Sequence, residues 1–195
     1  MDAEAVFVCL AGGVEKLLKL TAGVIAVGDG DAWPDRATMK AKGHRIVELD
    51  DSVRSEIVAR VDRSSAPGLM NKLLGMTGQH PGINQILDTL QRYAVDGRFY
   101  NLDLLGGIND ARESPQQLWN ELELLILEAN PEIYDELASV GHDRARADMN
   151  EIIAWVLGQW CELISRAWIT GVCGDLARQW SPQLNLGHPP PTVQM

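Results

Sequence analysis

The stretch "SPQQLWNELELLILEA", Ser114–Ala129, decides the fold class that the sequence predicts. Ser114 is of a type that caps helices, and Pro115 follows it in the first turn, where a missing backbone N–H costs nothing. Gln117 completes a capping box with this serine. Apolar residues then recur every three or four positions, the period of a helix that buries one face. The expected inner face consists of Leu118, Leu122, Leu125 and Ile126.

The same period recurs along most of the chain, and strand signals are almost absent. The last predicted helix is the longest and is apolar on more than one side, which suits the middle of a bundle or a dimer interface. The predicted class is therefore all-α: one helical-bundle domain over residues 1–181 with a long apolar C-terminal helix, then a Pro-rich tail at residues 182–195. Besides Ser114–Ala129, helices are predicted over Asp2–Val27, over residues 46–61 with a break near Asp50 and Asp51, over residues 79–94, between Pro131 and Gly141, and from Asp143 towards Trp180.

Three smaller features of the sequence also predict local structure. Gly12 and Gly13 weaken the first predicted helix, which suggests that another backbone packs closely there. The segment "DRSSAPG", residues 62–68, predicts a loop. The three cysteines form no CxxC pair and lie in apolar runs, so buried thiols are expected at Cys9, Cys161 and Cys173.

Composition narrows the classes of function. The chain has 195 residues, of which 46% are hydrophobic and 23% charged, a balance typical of an ordered globular domain. The formal net charge of -10 argues against an extended phosphate-binding surface, but it is compatible with a local basic pocket. No apolar stretch approaches the roughly 20 residues of a membrane span, and acidic residues near the start disfavour a signal peptide. A cytoplasmic protein is expected.

Common catalytic and metal-binding motifs are missing from the sequence. The four histidines, His44, His80, His142 and His188, lie far apart without a His or Cys partner at helical spacing, so no metal site is expected. Neither a phosphate-binding GxxxxGK loop nor a GxSxG nucleophile motif occurs. No cofactor is therefore predicted.

Two polar stretches are the candidate functional positions, although a solvated helix face or a polar loop would also explain them. In "VEKLLKL", Glu15, Lys16 and Lys19 interrupt an apolar helix, and "KAKGH" follows downstream. We expect His44 to be structural, with its ring hydrogen-bonded to the first helix at Glu15. The second stretch, "DGRFYNLD", crowds donors and acceptors together at Arg98, Tyr100, Asn101 and Asp103.

The helix "GVEKLLKL", the loop containing "WPD" and the segment "KAKGHRIVELD" together resemble the HEPN family (higher eukaryotes and prokaryotes nucleotide-binding) over residues 6–49. These helical domains are common in microbial toxin and phage-defence systems. The resemblance implies a bundle of four or more helices, frequently dimeric. For active members it implies metal-independent RNA cleavage by an arginine and a histidine, separated by a few residues, in a dimer cleft.

No arginine stands at that spacing before any of the four histidines. Arg98 and Asp103 are the nearest analogue, but a carboxylate replaces an imidazolium poorly near neutral pH. Three hypotheses follow. In the first, the chain is a non-catalytic HEPN-like protein that binds RNA, a nucleotide or a partner protein, with Lys16, Arg98, Tyr100 and Asn101 as contacts. In the second, it is a ribonuclease with an altered active site. In the third, it is a helical scaffold that dimerises.

Overall fold

The computed structural model describes residues 3–97, 100, 105–107, 112–139 and 142–184, and all regular structure in these ranges is helical. The all-α prediction is confirmed. Short 3-10 turns follow two of the helices, at Val61–Arg63 and Ser181–Gln183. The described α-helices are α1 (Ala3–Gly28), α2 (Arg36–Ala41), α3 (Ile46–Ala59), α4 (Pro67–Thr77), α5 (Pro81–Val95), α6 (Pro115–Ala129), α7 (Pro131–Ser139), α8 (His142–Ile169) and α9 (Asp175–Trp180).

The helices form a bundle around one apolar core. Helix α1 packs against α3, α5 and α9; α5 also contacts α6 and α8, and α4 lies along α8. Each buried Leu, Ile or aromatic side chain contributes roughly 2 kcal/mol of apolar burial. The fully buried side chains include Leu18, Ile46, Ile57, Met70, Ile83, Leu90, Leu122, Trp160 and Trp168.

Helix α6 begins as the sequence predicts, but it buries a different face. The Ser114 Oγ accepts a hydrogen bond from the Gln117 N–H at 3.1 Å, and the Gln117 Oε1 accepts one from the Ser114 N–H at 2.7 Å. The buried residues include Trp119, Leu122 and Ile126, whereas Leu125 is 40% exposed. The predicted inner face was therefore wrong at Leu125. Trp119, which the prediction left out, lies on the buried face instead and packs edge-on against Phe7, with ring centroids 5.3 Å apart.

Three boundaries differ from the predictions. The segment predicted as a loop at residues 62–68 ends inside α4, because Pro67 occupies the first helical position, where a proline is tolerated. Helix α3 continues through Asp50 and Asp51 without a break. The last predicted helix divides at a turn after Ile169, in which Gly171 and Gly174 adopt positive φ angles of 84° and 92°.

The long apolar C-terminal helix that the sequence predicts is not found in the part of the chain that the structure describes. Helix α8 is the longest described helix, at 28 residues, but it is not apolar all round. Exposed charged residues such as Arg144 and Glu151 lie on the side of the helix away from the core. None of the helices in the described ranges combines the length and apolarity that crossing a bilayer would take.

The expected close packing at Gly12 and Gly13 is not found among the residues that the structure describes. A Cβ added at either position would meet no other atom within 4 Å. The close approach of two backbones occurs instead between the end of α1 and the turn before α9. A Cβ on Gly174 would lie 2.8 Å from the Cα of Gly28, so only glycine fits there.

The cysteines are not all buried. The prediction of a buried thiol was wrong for Cys9, which lies exposed on α1, and is confirmed for Cys173, whereas Cys161 is half-buried. Burial raises the pKa of the Cys161 thiol to about 11 and that of Cys173 to about 12. Both of these thiols therefore stay protonated and unreactive near neutral pH.

Two tryptophan N–H groups are satisfied by polar side chains inside the core. The Trp160 Nε1 donates to the Asp50 Oδ1 at 2.7 Å, and the Trp168 Nε1 donates to the Thr21 Oγ1 at 3.0 Å. Arg54 reaches the same aspartate, because its Nε donates to the Asp50 Oδ2 at 2.6 Å. These bonds connect α8 to α3 and α1 at fixed points, since a buried polar group without a partner is destabilising.

Candidate functional site

Glu15 on α1 lies between two basic side chains. The Lys19 Nζ is 2.7 Å from its Oε1, and the His44 Nδ1 is 2.8 Å from its Oε2. Lys19 is one helical turn beyond Glu15, whereas His44 comes from the connection before α3. The contact expected between His44 and Glu15 is present, and it ties that connection to the middle of α1.

The environment of Glu15 favours its charged form. Burial raises the pKa of this carboxyl, but the hydrogen bonds from Lys19 and His44 outweigh the burial, so the pKa lies below its ordinary value of 4.5. Because an ionised carboxylate only accepts hydrogen bonds, the His44 Nδ1 carries the shared proton. Glu15 thereby neutralises cationic charge at this point.

A cleft of about 250 Å³ opens beside this pair of residues. Its lining includes Gly12 and Lys16 from α1, His44, and Tyr93 and Ala94 from the end of α5. Lys16 is exposed and makes no side-chain hydrogen bond or ion pair with the described part of the chain. Its ammonium group is therefore available to an anionic ligand.

A run of cations follows the first helix. Residues 36–45, "RATMKAKGHR", hold no Asp or Glu, and we call this segment the basic connection. It comprises α2 and the turn to α3, and α2 has no buried residue. Asp35 caps α2, its carboxylate accepting a hydrogen bond from the Thr38 N–H at 2.7 Å. The cations of the basic connection are Arg36, Lys40, Lys42 and Arg45.

The interpretation of the sequence singled out "KAKGH" in this segment but not Arg36 or Arg45. The signal that would have found them is the absence of acids over ten positions of a strongly acidic chain. Trp33 stands just before the basic connection. Its ring covers Gly23 of α1, where an added Cβ would lie 2.5 Å from it, and the side chain stays 41% exposed. An exposed aromatic side chain thus closely precedes the cations in the sequence.

The structure does not bring all the predicted contact residues together. Tyr100 lies beside Arg92, whose guanidinium carbon is 5.7 Å from the centre of the tyrosine ring, and it does not line the cleft of Lys16. The other candidates of that stretch, Arg98, Asn101 and Asp103, lie outside the described residues.

Within the described ranges, no three His, Cys, Asp or Glu side chains are grouped as ligands for a metal ion. No family model, curated protein or solved structure matches the chain. The chemistry of the site therefore rests on the residues themselves.

Replacing His44 with alanine is expected to lower the free energy of unfolding by less than about 1 kcal/mol, because exposed ion pairs contribute little. The side chain of His44 is 59% exposed. Thermal unfolding followed by circular dichroism at neutral pH would measure the change. Lys16→Ala is a matched control, because the Lys16 side chain is also exposed but forms no hydrogen bond or ion pair with the described residues.

The difference between the wild type and His44→Ala should also depend on pH. A lowered pKa means that Glu15 contributes stability above its ordinary value of 4.5 and loses that contribution as the pH falls through the folded value. The two proteins should therefore become equally stable in acid. Unchanged stability at neutral pH together with lost ligand binding would show that His44 is a ligand contact instead.

Proposed function

We propose that this chain is a HEPN-like helical protein of a bacterial defence or stress system that binds RNA without cleaving it, through the basic connection and Lys16. The observation that carries the proposal is a local run of cations, free of acidic residues, on a segment with no buried side chain. A chain with a net charge of -10 repels a polyanion elsewhere, so binding would concentrate on this segment.

Two further features support binding of RNA over binding of a smaller anion. The four cations are distributed along ten residues, so the segment offers several separate contacts to a polyanion rather than a single pocket. Trp33 is partly exposed just before them in the sequence, and an unstacked base can pack against such a side chain. The basic connection also belongs to residues 6–49, the part of the sequence that resembles the HEPN family.

Binding without cleavage follows from the side chains available. Glu15 is hydrogen-bonded to His44 and Lys19, and the Arg–His spacing of active HEPN members does not occur in the sequence. An acid and a base placed on either side of a phosphate are needed for metal-independent cleavage. A ribonuclease using Arg98 and Asp103 is the alternative that the experiment below tests.

The variant Arg36→Gln/Lys40→Gln/Lys42→Gln should bind a short fluorescent single-stranded RNA more weakly than the wild type. Each lost phosphate contact lowers the slope of log affinity against log salt by about 0.7, so the slope should fall by about 2. Fluorescence anisotropy at several salt concentrations measures this slope. Circular dichroism should show an intact fold, because none of the three replaced residues is buried.

The control variant Lys72→Gln/Arg144→Gln/Arg178→Gln removes the same charge from exposed positions on α4, α8 and α9. It should lower the affinity slightly and leave the slope unchanged. Equal slopes for the wild type and the basic-connection variant would exclude this surface. RNA cleavage that disappears on Arg98→Ala would instead support the ribonuclease.

A further inference from the structure

A second cavity, separate from the basic connection, lies where α1, α6 and α8 meet. Its volume is about 390 Å³, within the range of pockets that bind small molecules. Leu10, Trp119, Ile153 and Leu157 form an apolar floor, and polar side chains form the rim. We call this cavity the α6–α8 groove.

The charged side chains of the groove lie together at one end. Glu123 and Arg146 border both the groove and a smaller neighbouring recess, so they lie where the two cavities join. Neither forms an ion pair or a hydrogen bond with the described residues. One end of the groove therefore offers an unpaired carboxylate and an unpaired guanidinium, while the floor is apolar.

Trp119 gives the groove an aromatic wall. Its side chain lines the groove, is 8% exposed and packs edge-on against Phe7, with ring centroids 5.3 Å apart. The ring is therefore held in place by the core and offers a ligand a fixed apolar surface.

We propose that the α6–α8 groove binds a free apolar α-amino acid. Its carboxylate would pair with Arg146, its ammonium with Glu123, and its side chain would lie on the floor against Trp119. An arginine binds a carboxylate through two parallel hydrogen bonds, and both charged contacts are stronger beside an apolar surface than in water. A ligand with only one of the two charges would leave one rim residue unpaired.

Three probes test this requirement for both charges. L-Phenylalanine, 3-phenylpropanoate and 2-phenylethylamine share the same apolar body and differ in their charged groups. In isothermal titration calorimetry with the full chain, we expect saturable binding of phenylalanine. Each analogue should bind at least about tenfold more weakly than phenylalanine, because it loses one charged hydrogen bond. Equal affinity for phenylalanine and either analogue would overturn the proposal, as would no binding of phenylalanine, leucine or tryptophan at millimolar concentration.

Matched variants assign each charge to its residue. Glu123→Gln should remove the discrimination against 3-phenylpropanoate, and Arg146→Gln should remove the discrimination against 2-phenylethylamine. Glu128→Gln on α6 and Arg144→Gln on α8 change the same residue types outside the groove and should bind like the wild type. Binding that is equally insensitive to both groove variants would refute the assignment.

Ala154 provides a test of location that keeps both charges. It lines the groove and is exposed, so Ala154→Phe should fill the cavity without disturbing the core. Phenylalanine binding should be lost while the melting temperature and the RNA affinity stay unchanged. Unchanged phenylalanine binding by this variant would place the ligand elsewhere and overturn the proposal.

Discussion

Replacing Asp50 with alanine is expected to lower the free energy of unfolding by about 4 kcal/mol, because buried partners would lose their acceptor. The carboxylate is 5% exposed, and it accepts hydrogen bonds from Trp160 at 2.7 Å and from Arg54 at 2.6 Å. Arg54 also donates to the Thr77 Oγ1 at 2.8 Å, so the bonds connect α3, α4 and α8. Urea unfolding would measure the loss, and the melting temperature should fall by about 12 °C.

Two variants separate the hydrogen bonds of Asp50 from a general effect of charge. Asp51→Ala removes the exposed neighbouring carboxylate and should change stability by less than about 0.5 kcal/mol. Asp50→Asn keeps an acceptor for Trp160 but loses the charged bond to Arg54, so its stability should lie between those of the wild type and Asp50→Ala. If Asp50→Ala were as stable as Asp51→Ala, the buried bonds would not hold the helices together.

The pH dependence of Asp50 has the opposite sign to that of Glu15. Burial raises the pKa of Asp50, although Arg54 and Trp160 oppose the change. The folded state therefore binds this proton more tightly than the unfolded state, and the contribution of Asp50 is largest in acid and decreases as the pH rises through its folded pKa. Any loss of stability in acid must therefore come from other carboxylates, whose pKa values are lowered in the folded state. Hydrogen bonds from Arg60 and Arg63 lower the pKa of Asp29 to about 2, so its contribution is present above its ordinary value of 3.8 and is lost as the pH falls through the folded value.

Replacing Gly174 with alanine is expected to lower the free energy of unfolding by about 3 kcal/mol, from backbone strain and from overlap with α1. Gly174 has φ 92° and ψ 175°, a conformation that is essentially restricted to glycine. The added methyl group would also lie 2.8 Å from the Cα of Gly28, and a backbone atom cannot move aside as a flexible side chain can. Chemical unfolding measures the loss.

Gly30→Ala is the matched control for the overlap with α1. Gly30 has nearly the same φ, 91°, but a Cβ there would meet nothing within 4 Å. Its replacement should therefore cost only the strain of a positive φ, about 1 kcal/mol. An equal loss of stability in the two variants would show that the contact between Gly28 and Gly174 adds nothing.

Local sequence signals predicted much of the fold. The capping box at Ser114 and Gln117 marked the start of α6, and apolar periodicity marked α1, α3, α5 and α8. Helix α4 was missed because Pro67 and Gly68 suggest a loop, although a proline fits the first helical position. Helix α2 was missed because it buries no residue and so has no apolar period. The buried face of α6 was misjudged at Leu125, because the run of leucines fits more than one helical face and Trp119 was left out of the predicted one.

The sites were less predictable because their residues come from distant parts of the chain. His44 and Glu15 could be paired from the sequence, since one short connection brings the histidine back along α1. The bond between Asp50 and Trp160 joins residues 110 positions apart, and the α6–α8 groove needs three helices. Nothing local signals either arrangement. A homodimer, as the family resemblance implies, stays a prediction.

Helix α2 contributes no side chain to the core, so its six residues are under almost no constraint from folding. Mutations there can change which molecules the protein attracts while the packed helices beneath stay as they are. The surface that this helix presents can therefore diverge between related sequences while the packed core is conserved.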